Sequence, residues 1–232
     1  MRERQGIGAI KGVGEKTEKL FRHVGVNTVG DLVRYYPRGF EIFEDPVPVS
    51  EAAEGRVCTV AGSVFGRIQV SGSQRVQITT LYLKDLTGTI KVIWFRMPFL
   101  RNTLSKGGML ILRGRVVRRR DGLVMEHPEV YFPASKYEEK LHTLQPVYPL
   151  TAGLTNNAVI KAVRQALECA DDKMDILPPE MSMKYHFPPY KEAVRNMHFP
   201  EDKEHFAAAR ERFVFEEFLG FILSLRRMKE AG

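Results

Sequence analysis

The chain has 232 residues, 44% hydrophobic and 27% charged, which is enough for one or two buried cores in an ordinary globular protein. No apolar run reaches the roughly 18 residues of a membrane span, the N-terminal MRERQGIGAIKG lacks the apolar stretch of a signal peptide, and the distant Cys58 and Cys169 have neither zinc spacing nor a disulfide framework, which fits a reducing cytosol. The net charge of +7 favours a polyanionic partner, nucleic acid first.

Residues 1–45 read as short helices. One is predicted over Glu15–Val24, with Leu20, Phe21 and Val24 on its apolar side and Gly25 as a left-handed stop. A second is predicted over Thr28–Tyr36, closed by Pro37. Ahead of them stands Gly12-Val13-Gly14, near Lys11, Lys16 and Lys19. Such a turn resembles a helix-hairpin-helix element, in which Gly12, Gly14 and Lys16 meet a phosphate at the positive end of a helix. A glycine turn that lets two helices pack is the equal alternative.

Residues 46–133 read as five strands, over Arg56–Phe65, Arg75–Asp85, Ile90–Phe95, Met109–Val117 and Leu123–Tyr131, with a helical turn or two at Pro98–Leu104. Asp121-Gly122 between apolar runs is a hairpin signal, because its turn needs positive φ. Five short strands with a helical piece between the third and fourth describe an OB-fold barrel, which binds oligonucleotides over its second and third strands and between its first and fourth loops. The first loop is expected over Gly66–Gln74, flanked by Arg67 and Arg75, and the fourth over Arg118–Gly122. Arg113 and Arg115 alternate along the strand into the fourth loop and so share a face, and Arg118, Arg119 and Arg120 follow. A solvated charged hairpin is the plain alternative for such a run.

The third strand ends in Trp94 and Phe95, followed by Arg96, Phe99 and Arg101. Aromatic faces flanked by guanidinium groups suit unstacked bases beside phosphates, although any aromatic can instead be core. Trp94 is expected inward with Ile90 and Val92, and Phe95 outward.

Residues 134–152 read as a linker anchored by Tyr148 and Leu150, with two prolines arguing against helix. Residues 153–232 turn helical: a helix to Ala170 capped by Thr155 or Asn156, breaks at Pro178, Pro179, Pro188 and Pro189, then a long helix over Glu201–Lys229. Apolar residues crowd Phe213–Leu225 on nearly every side, which predicts contact with further protein. The overall class is therefore α+β: an OB barrel between a helical hairpin and a helical segment that ends in a long helix.

There is no phosphate-cradling GxxxxGK[ST] and no HExxH. Asp171, Asp172 and Asp175 read as a solvated helix end, His198 reads as structural, and no catalytic constellation or metal site is expected.

Four stretches carry a family resemblance: KGVGEKTEKLFRHVGVNTVGDLVRYYPRGFE, VIWFRMPFL, LQPVYPLTAGLTNNAVIKAV and NMHFPEDKEHFAAARERFVFEEFL. Together they resemble the N-terminal region of the bacterial RecG helicases. The resemblance implies a wedge that splits branched DNA, such as forks and Holliday junctions, in repair and recombination. It implies a cytoplasmic bacterial monomer with no membrane association and no cofactor in this region. ATP and Mg are expected only in motor domains that lie outside this chain, which on this reading is a fragment without enzyme activity of its own. It places two branch-stacking rings, four residues apart, on Phe95 and Phe99. The second is commonly tyrosine, so Phe99 lacks a hydroxyl, and Arg96 stands where the family tends to have a polar residue. The resemblance leaves a generic single-strand-binding OB module and a structural docking module for the motor as alternatives.

Overall fold

The computed structural model describes residues 4–73, 76–104, 108–120, 122–168 and 175–230. The chain divides into two compact units, one made of residues 1–42 and 143–232 and the other of residues 43–142.

In the first unit, α1 (Glu15–His23) starts on Glu15 and Glu18 and ends on Arg22 and His23, so its charges complement the helix dipole. Gly25, at φ +84°, closes it, with the Val26 N–H donating to the Phe21 carbonyl and the Gly25 N–H to that of Arg22. Thr28 and Asp31 form a reciprocal capping box at the start of α2 (Val29–Val33). The Asp31 carboxylate, accepting from the Asn27 and Thr28 N–H groups, is held below its usual range. This helix is shorter than the sequence predicts, turning at Arg34 before Pro37. A strand β1 (Gly39–Ile42) follows.

The second unit holds β2 (Val57–Ser71), β3 (Ile78–Lys84), β4 (Thr89–Phe95), α3 (Leu100–Leu104), β5 (Met109–Arg119), β6 (Gly122–Tyr131) and the single turn α4 (Ser135–Glu138). The strands close a barrel in the order β2-β3-β4-β6-β5, with β4 and β6 parallel and the other pairs antiparallel. This is the predicted OB arrangement, with α3 between the third and fourth barrel strands. Barrel strand β2 serves two neighbours: Val57–Ser63 pairs with β5 and Ser63–Ser71 with β3. It turns from one to the other beside Gly62, where a Cβ would stand 2.5 Å from the Lys84 carbonyl oxygen. The inward residues Leu81, Leu83, Val92, Trp94, Leu110, Leu112 and Met125 are buried together.

The first loop differs from expectation. Most of Gly66–Gln74 is not loop, because β2 runs on to Ser71 past a register shift between Phe65 and Gln69. Glycine and serine mask there an alternation in which Ile68 points inward. Gln74, Arg75 and Asp121 lie outside the described residues.

The segment expected as a linker is structured too. It carries α4 and then β7 (Leu144–Val147), which pairs antiparallel with β1. Tyr148 is buried as predicted, but Leu150 is 47% exposed. Pro146 sits within β7 because a short two-stranded ribbon leaves one edge free of ladder bonds.

Helix α5 (Asn156–Leu167) is capped by Thr155, whose hydroxyl accepts from the Ala158 N–H. The prolines start helices rather than only ending them: Pro179 opens α6 (Pro179–Tyr185), and Pro189 precedes α7 (Tyr190–His198). The long α8 (Lys203–Glu230) completes the chain. Asp175, expected at a solvated helix end, instead pairs with the buried Arg212 of α8, while Asp171 and Asp172 lie outside the described residues. Phe21, Val29, Leu32, Tyr148, Val163 and Val194 share one core, so the N-terminal helices and the C-terminal segment, far apart in sequence, bury each other's apolar faces.

Candidate nucleic-acid interface

The β3–β4 hairpin is held at its turn by Asp85, which accepts from the N–H groups of Val49, Thr87 and Gly88 at 2.7–2.8 Å. These bonds, the one from Val49 foremost, pull its carboxyl down to about 2. Past the turn, inward and outward residues alternate strictly. Trp94 is 1% exposed, and its Nε1–H donates to the Pro128 carbonyl at 2.9 Å. Phe95 therefore faces out, on the same side as Lys91 and Ile93, with Ile78, Thr80 and Tyr82 paired opposite them on β3.

The backbone turns sharply after Phe95. Arg96 takes a left-handed φ of +57°, its N–H donating to the Gln77 carbonyl, and the buried Thr79 hydroxyl donates to the Met97 carbonyl at 3.0 Å. These two bonds pin the turn and allow Leu100 and Leu104 of α3 to enter the barrel core. Phe99, just before them, stays outside at 57% exposure.

Two shallow grooves run along this part of the barrel and share Ser71. One, of about 500 Å³, crosses the β3–β4 face between Thr80, Lys91, Ile93, Arg119 and Arg120. The other, of about 740 Å³, lies between the far half of β2 and α3 and is lined by Arg67, Gln69, Val70 and Arg101. Arg96 is exposed at the turn.

The arginines predicted as one group divide. Arg67, Arg96, Arg101, Arg115 and Arg120 are exposed without a carboxylate partner among the described residues. The Arg118 Nε donates to Glu54 at 2.9 Å, and Arg119 is paired with Glu126. Arg113 lies over the Phe43 ring at 4.7 Å, in a cluster with Tyr131 and Tyr137. Strand alternation places a side chain on a face but cannot show which neighbour occupies that face.

Sequence reasoning did not include Phe65 and Tyr82, both exposed and paired across β2 and β3, in the site. The Lys84 ammonium stands 5.0 Å from the Phe65 ring centre. The surface thus offers ring faces and side-chain cations side by side, which suits stacking on bases and holding phosphates.

In the helical unit, Gly12 (φ +90°) and Lys16 are exposed, and Gly14 caps α1 between them. Next to them the Gln165 amide of α5 holds Lys11 at both ends, donating to its carbonyl and accepting from its N–H. Glu15 and Glu18 in the first turn of α1 put negative charge at the helix end where a phosphate would sit. Among the described residues no cluster of His, Cys, Asp or Glu could hold a metal ion, and no helix is long and apolar enough to cross a membrane.

Residues 6–170 match the RecG wedge domain family. The chain is 29% identical over 234 residues to the ATP-dependent DNA helicase RecG of Bacillus subtilis, covering 99% of this chain and 33% of that protein. It is 28% identical to the Escherichia coli K12 protein of the same name, covering 96% of this chain and 33% of that one. It spans about a third of the length of these curated relatives. A solved structure of RecG bound to a three-way DNA junction superposes with a TM-score of 0.82 at 24% identity, over 97% of this chain and 31% of that one. With the OB barrel and the match over residues 6–170 in agreement, this chain belongs to the RecG wedge domain family.

Proposed function

We propose that this chain is the branch-engaging wedge of a RecG-type ATP-dependent DNA helicase, which remodels forks and Holliday junctions in the bacterial cytoplasm. The observation that carries the reading is the turn Phe95–Phe99: two outward rings at the end of β4, on a barrel whose two grooves carry Arg67 and Arg101 on one side and Lys91 and Arg120 on the other. The rings stack on the last paired bases and replace the base–base stacking lost on opening, while the groove cations hold phosphates. Arg96, Arg115 and Arg119 extend the same basic surface. Phosphate contacts carry no sequence information, so recognition follows branch shape. A RecG relative solved on a three-way DNA junction fits this reading.

The test is binding of this chain to a model fork, a linear duplex and a single strand at two salt concentrations. The expected result is a preference for the fork, affinity falling steeply with salt, and loss of the preference in the Phe95→Ala, Phe99→Ala double variant. Equal binding to all three DNAs would leave a generic basic OB surface.

A second role rests on α8. Phe218, Phe221, Ile222 and Met228 are exposed along it, a face suited to packing on further protein. On this reading that protein is the ATP-hydrolysing motor of the same polypeptide, which needs ATP and Mg where the wedge needs neither, and the working unit is a monomer.

A further inference from the structure

The parallel pairing of β4 with β6 stops at Ile93 and Glu126. The next two residues of β6, His127 and Pro128, together oppose the single Gly114 of β5, one residue more than an even register holds, since Arg113 faces Glu129 and Arg115 faces Glu126. His127 adopts a left-handed φ of +45°, which a non-glycine residue keeps only when its surroundings hold it there. Gly114 on β5 makes room for this bulge, because a Cβ at that position would lie 2.8 Å from Pro128 Cα.

The bulge grips the end of β4 from both faces. On the inside, the Pro128 carbonyl accepts the Trp94 Nε1–H. On the outside, His127 Nε2 accepts the Phe95 backbone N–H at 2.9 Å, and the two rings lie 5.3 Å apart between centres with 33° between their planes. Where the strand ladder has ended, the imidazole replaces the missing carbonyl. It is exposed and adds little to the core, so its contacts serve the Phe95 position.

We propose that His127 is a positioning residue for Phe95: it fixes the strand end and one side of the ring, so that the opposite ring face is presented to a base at the DNA branch. The proposal rests on the wedge reading above.

The test compares His127→Asn, His127→Gln, Phe95→Ala and the His127→Asn, Phe95→Ala double variant in the full chain. Asparagine tolerates the left-handed backbone but is too short to reach the Phe95 N–H, whereas glutamine carries an acceptor near the place of Nε2. The readouts are fork affinity, single-strand affinity, and quenching of 2-aminopurine placed at the branch. Trp94 fluorescence checks that each barrel is folded.

Phe95→Ala is expected to weaken fork binding about 5- to 150-fold, as loss of one stacked base does. His127→Asn should weaken it about 2- to 10-fold, as loss of one hydrogen bond does, reduce quenching, and leave single-strand binding unchanged. Glutamine should restore most of the loss, and the double variant should bind no worse than Phe95→Ala alone. Full fork affinity and quenching in His127→Asn, with Phe95→Ala impaired, would overturn the proposal while the wedge reading stands. Additive losses in the double variant would also overturn it, since His127 would then act apart from Phe95. An unaffected Phe95→Ala would remove the wedge reading and this inference together.

Discussion

Buried His198 should make the helical unit lose stability as the pH falls. The Tyr148 hydroxyl lies 2.9 Å from its Nδ1 and the Val33 carbonyl 2.9 Å from its Nε2, with no exposure to solvent. A carbonyl only accepts, so Nε2 carries the proton and Nδ1 accepts from the tyrosine. No lone pair remains, and a second proton on the ring would set N–H against O–H in a dry site. Burial accordingly lowers the pKa from 6.5 to about 4, against a smaller upward pull from the Val33 bond.

The unfolded chain therefore binds this proton first, and stability is lost as pH falls through the window from 6.5 towards about 4. The gap amounts to about 3 kcal/mol when complete, and about 2 kcal/mol is already gone at about pH 5. The assay is urea unfolding followed by far-UV circular dichroism at about pH 7.5 and about pH 5, for the wild type and His198→Gln. Circular dichroism reads mainly this unit, which contains the long helices, whereas Trp94, the sole tryptophan, reports on the barrel alone. Subtracting the variant removes the other titrating groups. A wild-type minus variant difference that is the same at both pH values would refute the reasoning.

Arg212 is fully buried between Asp175, Glu216 and the Pro188 carbonyl. Arg212→Met leaves two carboxylates without their cation and should cost about 3–5 kcal/mol in urea unfolding read by circular dichroism. Gly62→Ala drives a methyl group against the Lys84 carbonyl and should destabilise the barrel by about 1–3 kcal/mol, lowering the Trp94 fluorescence midpoint while the dichroism of the helical unit holds. Phe99→Ala removes a ring that is mostly in solvent, so it should change barrel stability by less than about 0.5 kcal/mol while weakening fork binding. A large drop in the same fluorescence midpoint would show that Phe99 is a packing residue.

Features that depend on local chemistry were legible in the sequence. Alternation in β4 put Trp94 inside and Phe95 outside, because successive side chains of a strand point to opposite faces. Gly25 and Thr155 marked helix ends, because capping needs only neighbouring backbone groups. The composition of the turns separated the five barrel strands. Contacts between residues distant in sequence emerged only in the folded chain. Folding joined residues 1–42 to 143–232 through one core and paired β7 with β1 inside an expected linker. It drew Arg113 onto Phe43 and Arg118 onto Glu54, partners that their spacing did not announce. It also placed the β6 bulge against the end of β4, so that a histidine with no sequence motif around it meets Phe95. Periodicity encodes the face a residue occupies, but its partner is set by chain closure over tens of residues, and no local pattern records that.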